Sequence, residues 1–215
     1  MVSHMTKLLI MDIWGTIIEH GLDKSPSKEA KRILRTKTSF QEFITTFQST
    51  MMTQPFETLE EAFKQVAKDF GVDIPQHKLE ALIGMWNKNA LLSHMYDEVE
   101  EEIDALKQDF TVVLLANIDK PSYDKLNQKY GLEELFHTVY KSFEVEHTKG
   151  EKEFYEHILE NEEVEADEAV MIGDSIKSDI ESAQKANIKG ILVDRRDTRT
   201  FDNKILDFTE LHTVL

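Results

Sequence analysis

Three apolar runs in this 215-residue chain each stop at a polar residue that could do chemistry. Residues 8–11 (LLIM) stop at Asp12, residues 110–116 (FTVVLLA) at Asn117, and residues 169–172 (AVMI) at Gly173-Asp174. Short apolar runs without helical spacing predict strands buried on both faces. In an open parallel sheet, ligands lie just beyond the carboxyl ends of the strands, so Asp12, Asn117 and Asp174 are expected along one edge. Two carboxylates converging there repel unless a cation lies between them. A sparse, oxygen-only donor set suits Mg²⁺, which keeps several waters and takes one or two carboxylates, better than Ca²⁺. Asp179, five residues beyond Asp174, has two readings. It orients a metal-bound water or a lysine, or it only complements the positive end of its own helix.

The elements around these residues alternate. After the first strand, Gly21 to Pro26 is turn-rich, and residues 27–93 then form a block of helices without a convincing strand. Phe40, Phe43, Ile44 and Phe47 are spaced for one helix face, as are Leu59, Phe63, Val66, Ala67 and Phe70, and again Leu79, Leu82, Ile83 and Trp86. Ser39, Thr58 and Pro75 supply start signals and Gly71 a stop. Helices are expected over 97–108, 122–130, 150–161 and 176–186, strands over 110–116, 138–142, 169–172 and 190–193, and a short closing helix over 208–215. Strands alternating with helices mean right-handed parallel crossovers. The expected fold is therefore α/β, a Rossmann-like doubly wound parallel sheet formed by residues 5–18 and 95–215. An α-helical cap, residues 19–94, is inserted behind the first strand.

Composition narrows the partners. A formal charge of −16 argues against nucleic acid or an acidic membrane surface, both of which need clustered Lys and Arg. With no cysteine, disulfides, thiolate metal sites and Cys nucleophiles are excluded. No apolar run is long enough to span a bilayer and no signal-peptide pattern is present, so a soluble cytoplasmic protein is expected. Residues 1–5 (MVSHM) read as an expression leftover and stay outside the fold reading. Oligomeric state is not legible.

Four separated pieces resemble, in order, the motifs of the haloacid dehalogenase superfamily of aspartyl-nucleophile hydrolases. They are Asp12-Ile-Trp-Gly-Thr16, then Leu114-Leu-Ala-Asn117, then Lys149 within SFEVEHTKGEKEFY, then Ile172-Gly-Asp-Ser-Ile-Lys-Ser-Asp179. One branch of that family inserts a helical cap between the first two motifs. The resemblance implies Asp12 as nucleophile, forming an aspartyl intermediate that water hydrolyses. It implies a Mg²⁺ site drawn from Asp12, the Trp14 carbonyl, Asp174 and Asp179. Thr16 would hydrogen-bond around the nucleophile, and Lys149 would neutralise charge on the nucleophile and the transferring group. Substrate contacts are expected from Gly15, Asn117 and the Ala116 position.

Two departures qualify the likeness. Phosphatase members carry a second Asp two residues after the nucleophile as acid and base; here that residue is Trp14. Such a group contributes on the order of 10²–10⁴-fold, so alkyl phosphates are expected to turn over poorly and acyl or aryl phosphates better. The second departure is Ala116, where the family usually has Ser or Thr. An aromatic at position 14 is similar to 2-haloacid dehalogenases, which also need a cap Arg; Arg32 and Arg35 are the cap arginines. Phosphonoacetaldehyde hydrolases use a cap Lys, for which Lys24, Lys28, Lys31 and Lys37 are candidates. The expectation is a Mg²⁺-dependent hydrolase of a small phosphorylated metabolite, with a dehalogenase-like enzyme and a metal- or metabolite-binding pseudo-enzyme as alternatives. His94, His137, His147 and His157 read as surface or structural, Glu98 to Glu102 as an exposed helix face, and Trp86 with Phe63 and Phe70 as cap core.

Overall fold

A computed structural model describes residues 5–215, so Met1 to His4, part of the stretch read as an expression leftover, lie outside the described residues. The chain begins with β1 (Leu8–Asp12), a short β2 (Ile18–Glu19), and the helices α1 (Pro26–Leu34), α2 (Phe40–Met51), α3 (Leu59–Asp69) and α4 (Gln76–Leu92). It continues through β3 (His94–Met95), α5 (Val99–Leu106), β4 (Thr111–Ala116), α6 (Lys120–Tyr130), α7 (Leu132–Leu135), β5 (Thr138–Lys141), α8 (Ser142–Val145) and α9 (Lys152–Glu162). The remainder is β6 (Ala169–Gly173), a wide π turn (Ile176–Ile180) running into α10 (Glu181–Lys185), β7 (Lys189–Val193), β8 (Lys204–Ile205) and a closing α11 (Leu211–Val214).

Six parallel strands form one sheet in the order β5-β4-β1-β6-β7-β8. β1 is central, and every one of its residues is buried. Its alternation divides the core. Leu9 and Met11 face Val112, Leu114, Val99, Ile103 and Leu126, whereas Leu8 and Ile10 face Val113, Leu115, Phe154, Tyr155 and Ile158. The in-register pairing Asp12↔Leu115 and Met11↔Ile172 brings the ends of β1, β4 and β6 to one edge. This is the doubly wound α/β fold expected from the alternating pattern.

Helices α1 to α4 pack around a core of their own, centred on Phe43, Phe47, Phe63, Val66, Leu82 and Trp86. Ser39 and Thr58 each close a reciprocal capping box, with Glu42 and Glu61, which fixes where α2 and α3 begin. Gly71, at φ +62, ends the turn after α3. The chain enters and leaves this helical block through the antiparallel pair β2–β3, with Ile18 opposite Met95 and Glu19 opposite His94. Neither strand is legible in the sequence, because two residues carry no period. Nor does the sequence pattern single out helix α1, although Ser25 caps it and Pro26 takes its first turn.

Candidate active site

Asp12, 1% exposed, ends the central strand. The chain then turns sharply, with the Gly15 N–H donating to the Ile18 carbonyl at 2.8 Å. Gly15 takes φ +76, and a Cβ there would stand 2.6 Å from Asp174 Oδ2, so only glycine lets the turn lie against that carboxylate. Thr16 is buried, and its hydroxyl donates to Asp12 Oδ2 at 3.4 Å.

Lys149 reaches the same edge from the loop before α9. Its Nζ lies 2.7 Å from Asp12 Oδ1 and 2.7 Å from Asp179 Oδ1. The second contact is an ion pair without hydrogen-bond geometry; the other Asp179 oxygen accepts the Ser175 N–H at 2.8 Å. Asp179 is aimed inward by the π turn, in which Ser175 O accepts from both Asp179 N and Ile180 N. The sequence predicts an ordinary helix here; the widened first turn accommodates the buried acid. Gly173 makes room for it, since a Cβ would fall 2.5 Å from the Asp179 carboxylate.

Asn117 Oδ1 accepts the Lys149 backbone N–H at 3.3 Å, and its Nδ2 donates to Met52 Sδ at the end of α2. The following residue is stapled by Ser142, whose Oγ accepts from Ile118 N and donates to Ile118 O. Ala116, by contrast, turns its methyl into the sheet core and does not line the cavity described below. Its side chain therefore does not face the space in which the expected substrate contact would form.

Asp12, Asp174 and Asp179 each offer an oxygen, and these oxygens lie within 4.8 Å of one another. Burial pushes the Asp12 carboxyl up to about 7 and Asp174 to about 6, against the opposing pull of Lys149. Burial also acts to lower Lys149, but Asp12, Asp179 and Asp174 outweigh it and hold the ammonium well above its usual range. Three carboxylates face one lysine, with Arg199 behind, donating to the Asp174 carbonyl. The charge deficit and the all-oxygen donor set fit a small divalent cation.

A cavity of about 350 Å³ opens over this edge, walled by the core on one side and by Gln48, Met52, Trp86, Asn89 and Ala90 of the helical block on the other. Asp12, Trp14, Asn117, Lys149 and Asp174 line it; Gly15 borders a neighbouring cleft instead, and Thr16 and Asp179 lie behind the lining. Trp14 stacks on His20 at 4.6 Å with planes 5° apart. Burial lowers the His20 pKa. The Trp86 indole N–H donates to Asp119 Oδ2 at 2.8 Å, joining the helical block to the core; burial raises the Asp119 pKa. Trp86 thus packs on Phe63 as expected but also lines the cavity. His20, Asn89 and Asp119 escaped the sequence reading, and only the N-cap spacing Asp119-x-x-Ser122 carried a local signal.

Other candidates sit elsewhere. Arg32 is exposed and paired with Glu29, Arg35 is exposed, and neither lines the cavity; nor do Lys24, Lys28, Lys31 or Lys37. His137 Nδ1 accepts the Val112 N–H, and His147 lies near Glu151. Glu98 departs from the exposed face expected of it: it is half-buried and pairs with Arg195 at 2.6 Å, while that guanidinium covers Tyr96.

The profile of the haloacid dehalogenase-like hydrolase family matches residues 10–193. The chain belongs to that family. Among solved structures it is similar to a 2-haloacid dehalogenase from Pseudomonas syringae pv. Tomato DC3000, with 16% identity, 98% of each chain covered and a TM-score of 0.64. It is similar also to the HAD-hydrolase YfnB from Bacillus subtilis bound to magnesium, with 19% identity, 98% and 99% covered and a TM-score of 0.65. A third is a HAD phosphatase from Thermococcus onnurineus, with 20% identity, 97% of each chain covered and a TM-score of 0.63. No curated protein matches. At these identities the structures share the fold; dehalogenases and phosphatases stand side by side among them. No helix among the described residues is long and apolar enough to cross a membrane.

Proposed function

We propose that this hydrolase is Mg²⁺-dependent and phosphatase-type, cleaving a small phosphorylated metabolite with a good leaving group. The observation that carries the reading is the cluster of the buried Asp12 and Asp179 and the half-buried Asp174 around the single Lys149 ammonium. Asp12 and Asp174, with the Trp14 carbonyl, would hold Mg²⁺, which when bound neutralises phosphate charge and orients the phosphoryl group. Asp179 has both oxygens engaged, by Lys149 and by Ser175 N–H, and acts by positioning the lysine.

The roles of the chain's own groups follow. Asp12 attacks phosphorus, an aspartyl phosphate forms, and the leaving oxygen departs with the bonding electrons. Lys149, kept protonated by its three carboxylates, stabilises the charge that builds on the transferring group. Water then cleaves the aspartyl phosphate and frees inorganic phosphate. Trp14 offers no proton to the leaving oxygen, so leaving groups that depart as anions are favoured.

The same Trp14 favours a second reading, a 2-haloacid dehalogenase-type reaction, in which halide leaves unprotonated. Against it, no arginine among the described residues lines the 350 Å³ cavity. Hydrolysis of p-nitrophenyl phosphate with and without Mg²⁺ separates the two. Metal-dependent turnover abolished in Asp12→Asn is expected. Silence toward phosphates together with metal-free halide release from 2-chloropropionate would overturn the phosphatase reading.

A further inference from the structure

The chain is strongly acidic, with a formal charge of −16, yet it places six of its 25 lysines and arginines in one short stretch. Residues 23–37 hold Lys24, Lys28, Lys31, Arg32, Arg35 and Lys37 against only Asp23 and Glu29. The stretch forms α1 and the turns at its two ends. Arg32 is tied to Glu29, and Lys31 donates to the Thr36 carbonyl. Lys24 and Lys28 are exposed and have no ion-pair partner among the described residues; Lys28 Nζ lies 5.8 Å over the Phe40 ring.

These two lysines flank the opening of the 350 Å³ cavity. Ser25, Pro26 and Ser27 line it from the head of α1, and Ser175 and Ser178 line it from the π turn and its cap. Ser25 is exposed and Ser27, Ser175 and Ser178 are half-buried, whereas Trp86, Asn89, Asn117 and Ser122 are buried, so the serines mark the side that meets solvent. A third ammonium joins from the core. Lys177 is exposed, lies between Ser175 and Ser178, and its Nζ donates to Gln41 Oε1 at 2.6 Å. Gln41 follows Phe40 at the start of α2 and is seven residues from the lining Gln48, a spacing that keeps both on one helix face. Lys24 and Lys28 of the helical block and Lys177 of the core therefore stand on one side of the opening. Inside, Lys149 is the one lysine or arginine that lines the cavity.

We propose that Lys24, Lys28 and Lys177 form a cationic rim that draws a phosphate-bearing anion through the field of an otherwise acidic protein and delivers it to Lys149. Charge of one sign gathered at a cleft raises the local concentration and the entry rate of opposite charges, by roughly 10–10³-fold where the field is strongly focused. Three solvated ammonium groups belong at the low end of that range. The proposal rests on the phosphatase reading for the identity of the anion, but capture of inorganic phosphate is a binding property and is measured without turnover.

The probe is inorganic phosphate with Mg²⁺. Its association rate is read by stopped-flow tryptophan fluorescence, since both tryptophans of the chain line the cavity, and its Kd by calorimetry. The rim variant is Lys24→Gln/Lys28→Gln/Lys177→Gln. A control, Lys7→Gln/Lys68→Gln/Lys189→Gln, removes the same charge from exposed positions that do not line the cavity. Lys7 and Lys189 lie at the amino ends of β1 and β7, across the sheet from the site. At about 10 mM ionic strength, where charges act over about 30 Å, the rim variant should bind phosphate about 5–10-fold more slowly than wild type. The control should stay within about twofold of wild type, because its charges do not face the opening. In about 1 M salt, where the screening length falls to about 3 Å, rim variant and wild type should converge. Lys24→Gln/Lys28→Gln, which keeps the Lys177 contact to Gln41, should show a smaller loss with the same salt dependence. Equal slowing in the rim variant and the control would mean that net charge alone acts. A deficit that survives 1 M salt would mean that the lysines act by contact or by seating the helical block. Either result overturns the proposal. Failure of wild type to bind phosphate would overturn both readings, whereas absent turnover of aryl phosphates with the rim effect retained would overturn the phosphatase reading alone.

Discussion

The two walls of the cavity are built on opposite principles. The core wall is charged: Asp12 and Asp179 are buried, Asp174 and Lys149 are half-buried, and Lys149 pairs with both buried acids; Asp12 and Asp174 stand at strand ends, Lys149 in the loop before α9 and Asp179 in the π turn. The cap wall carries no charge; Gln48, Met52, Trp86, Asn89 and Ala90 offer amides, a thioether and aromatic surface. Buried charges that hold one another tolerate little change, because removing one leaves the others unpaired in low dielectric. Neutral polar groups can be exchanged at modest cost. On the proposed phosphatase reading, the chemistry is assigned to the core wall and the choice of substrate to the cap wall.

The comparison breaks first at the nucleophile. Asp12→Asn should lower kcat by about 10⁴-fold or more, since on the proposed mechanism it removes the group that forms the covalent bond. Should Asn89→Leu inflict a loss as large on every substrate, the division between the walls fails. Lys149→Met comes next. It should cost about 10²–10³-fold in kcat and about 3–5 kcal/mol of stability, because three carboxylates lose their cation. Thermal melting should show Mg²⁺ restoring a larger share of stability to this variant than to wild type.

Trp14→Asp sharpens the account of the core wall. With an acid placed beside the nucleophile, turnover of alkyl phosphates should rise by up to about 10²-fold while aryl phosphates change little. A folded, Mg²⁺-binding variant with no gain would show that the missing acid is not what limits this enzyme.

The pH prediction is smaller and also separates the walls. Asp12 and Asp174 have folded pKa values near 7 and 6, above their ordinary value of 3.8. Between those limits the folded state binds more protons than the unfolded one, so metal-free stability must fall as pH rises from about 4 to 7. Below the unfolded value the penalty is absent, and above the folded values it is fully present. Mg²⁺ affinity should move the opposite way, rising through pH 6–7 as the two protons leave. Titration calorimetry at pH 5.5 and 8 measures this, and Asn89→Leu should leave the slope unchanged. The smallest effect is expected at Trp86→Phe, which strips Asp119 Oδ2 of its indole partner. It should cost about 1–3 kcal/mol in stability and raise KM with little change in kcat.

The sequence carried the core wall well because its signals are local. Asp12, Asn117 and Asp174 each end an apolar run, and strand ends gather at one edge in any parallel sheet. Capping residues Ser39 and Thr58 placed their helices in the same local way. The strand-end logic did not extend to Ala116, one residue before Asn117, because a strand's period of two turns adjacent side chains to opposite sides. Nor did it reveal that Gly15 and Gly173 serve as clearances for Asp174 and Asp179, which depend on contacts across the turn and across the strand end.

By itself, then, the sequence determined the parallel α/β core, the helical block behind its first strand, and the charged residues that the strand ends present. Only the tertiary structure decided which helical-block residues meet them. His20 touches Asn89 across 69 residues of chain, and Trp86 touches Asp119 across 33. Neither pair follows a local period. Both depend on how the block seats over the sheet edge, through Gly21, the β2–β3 ribbon and the packing of α4, and that arrangement is set by the whole chain at once.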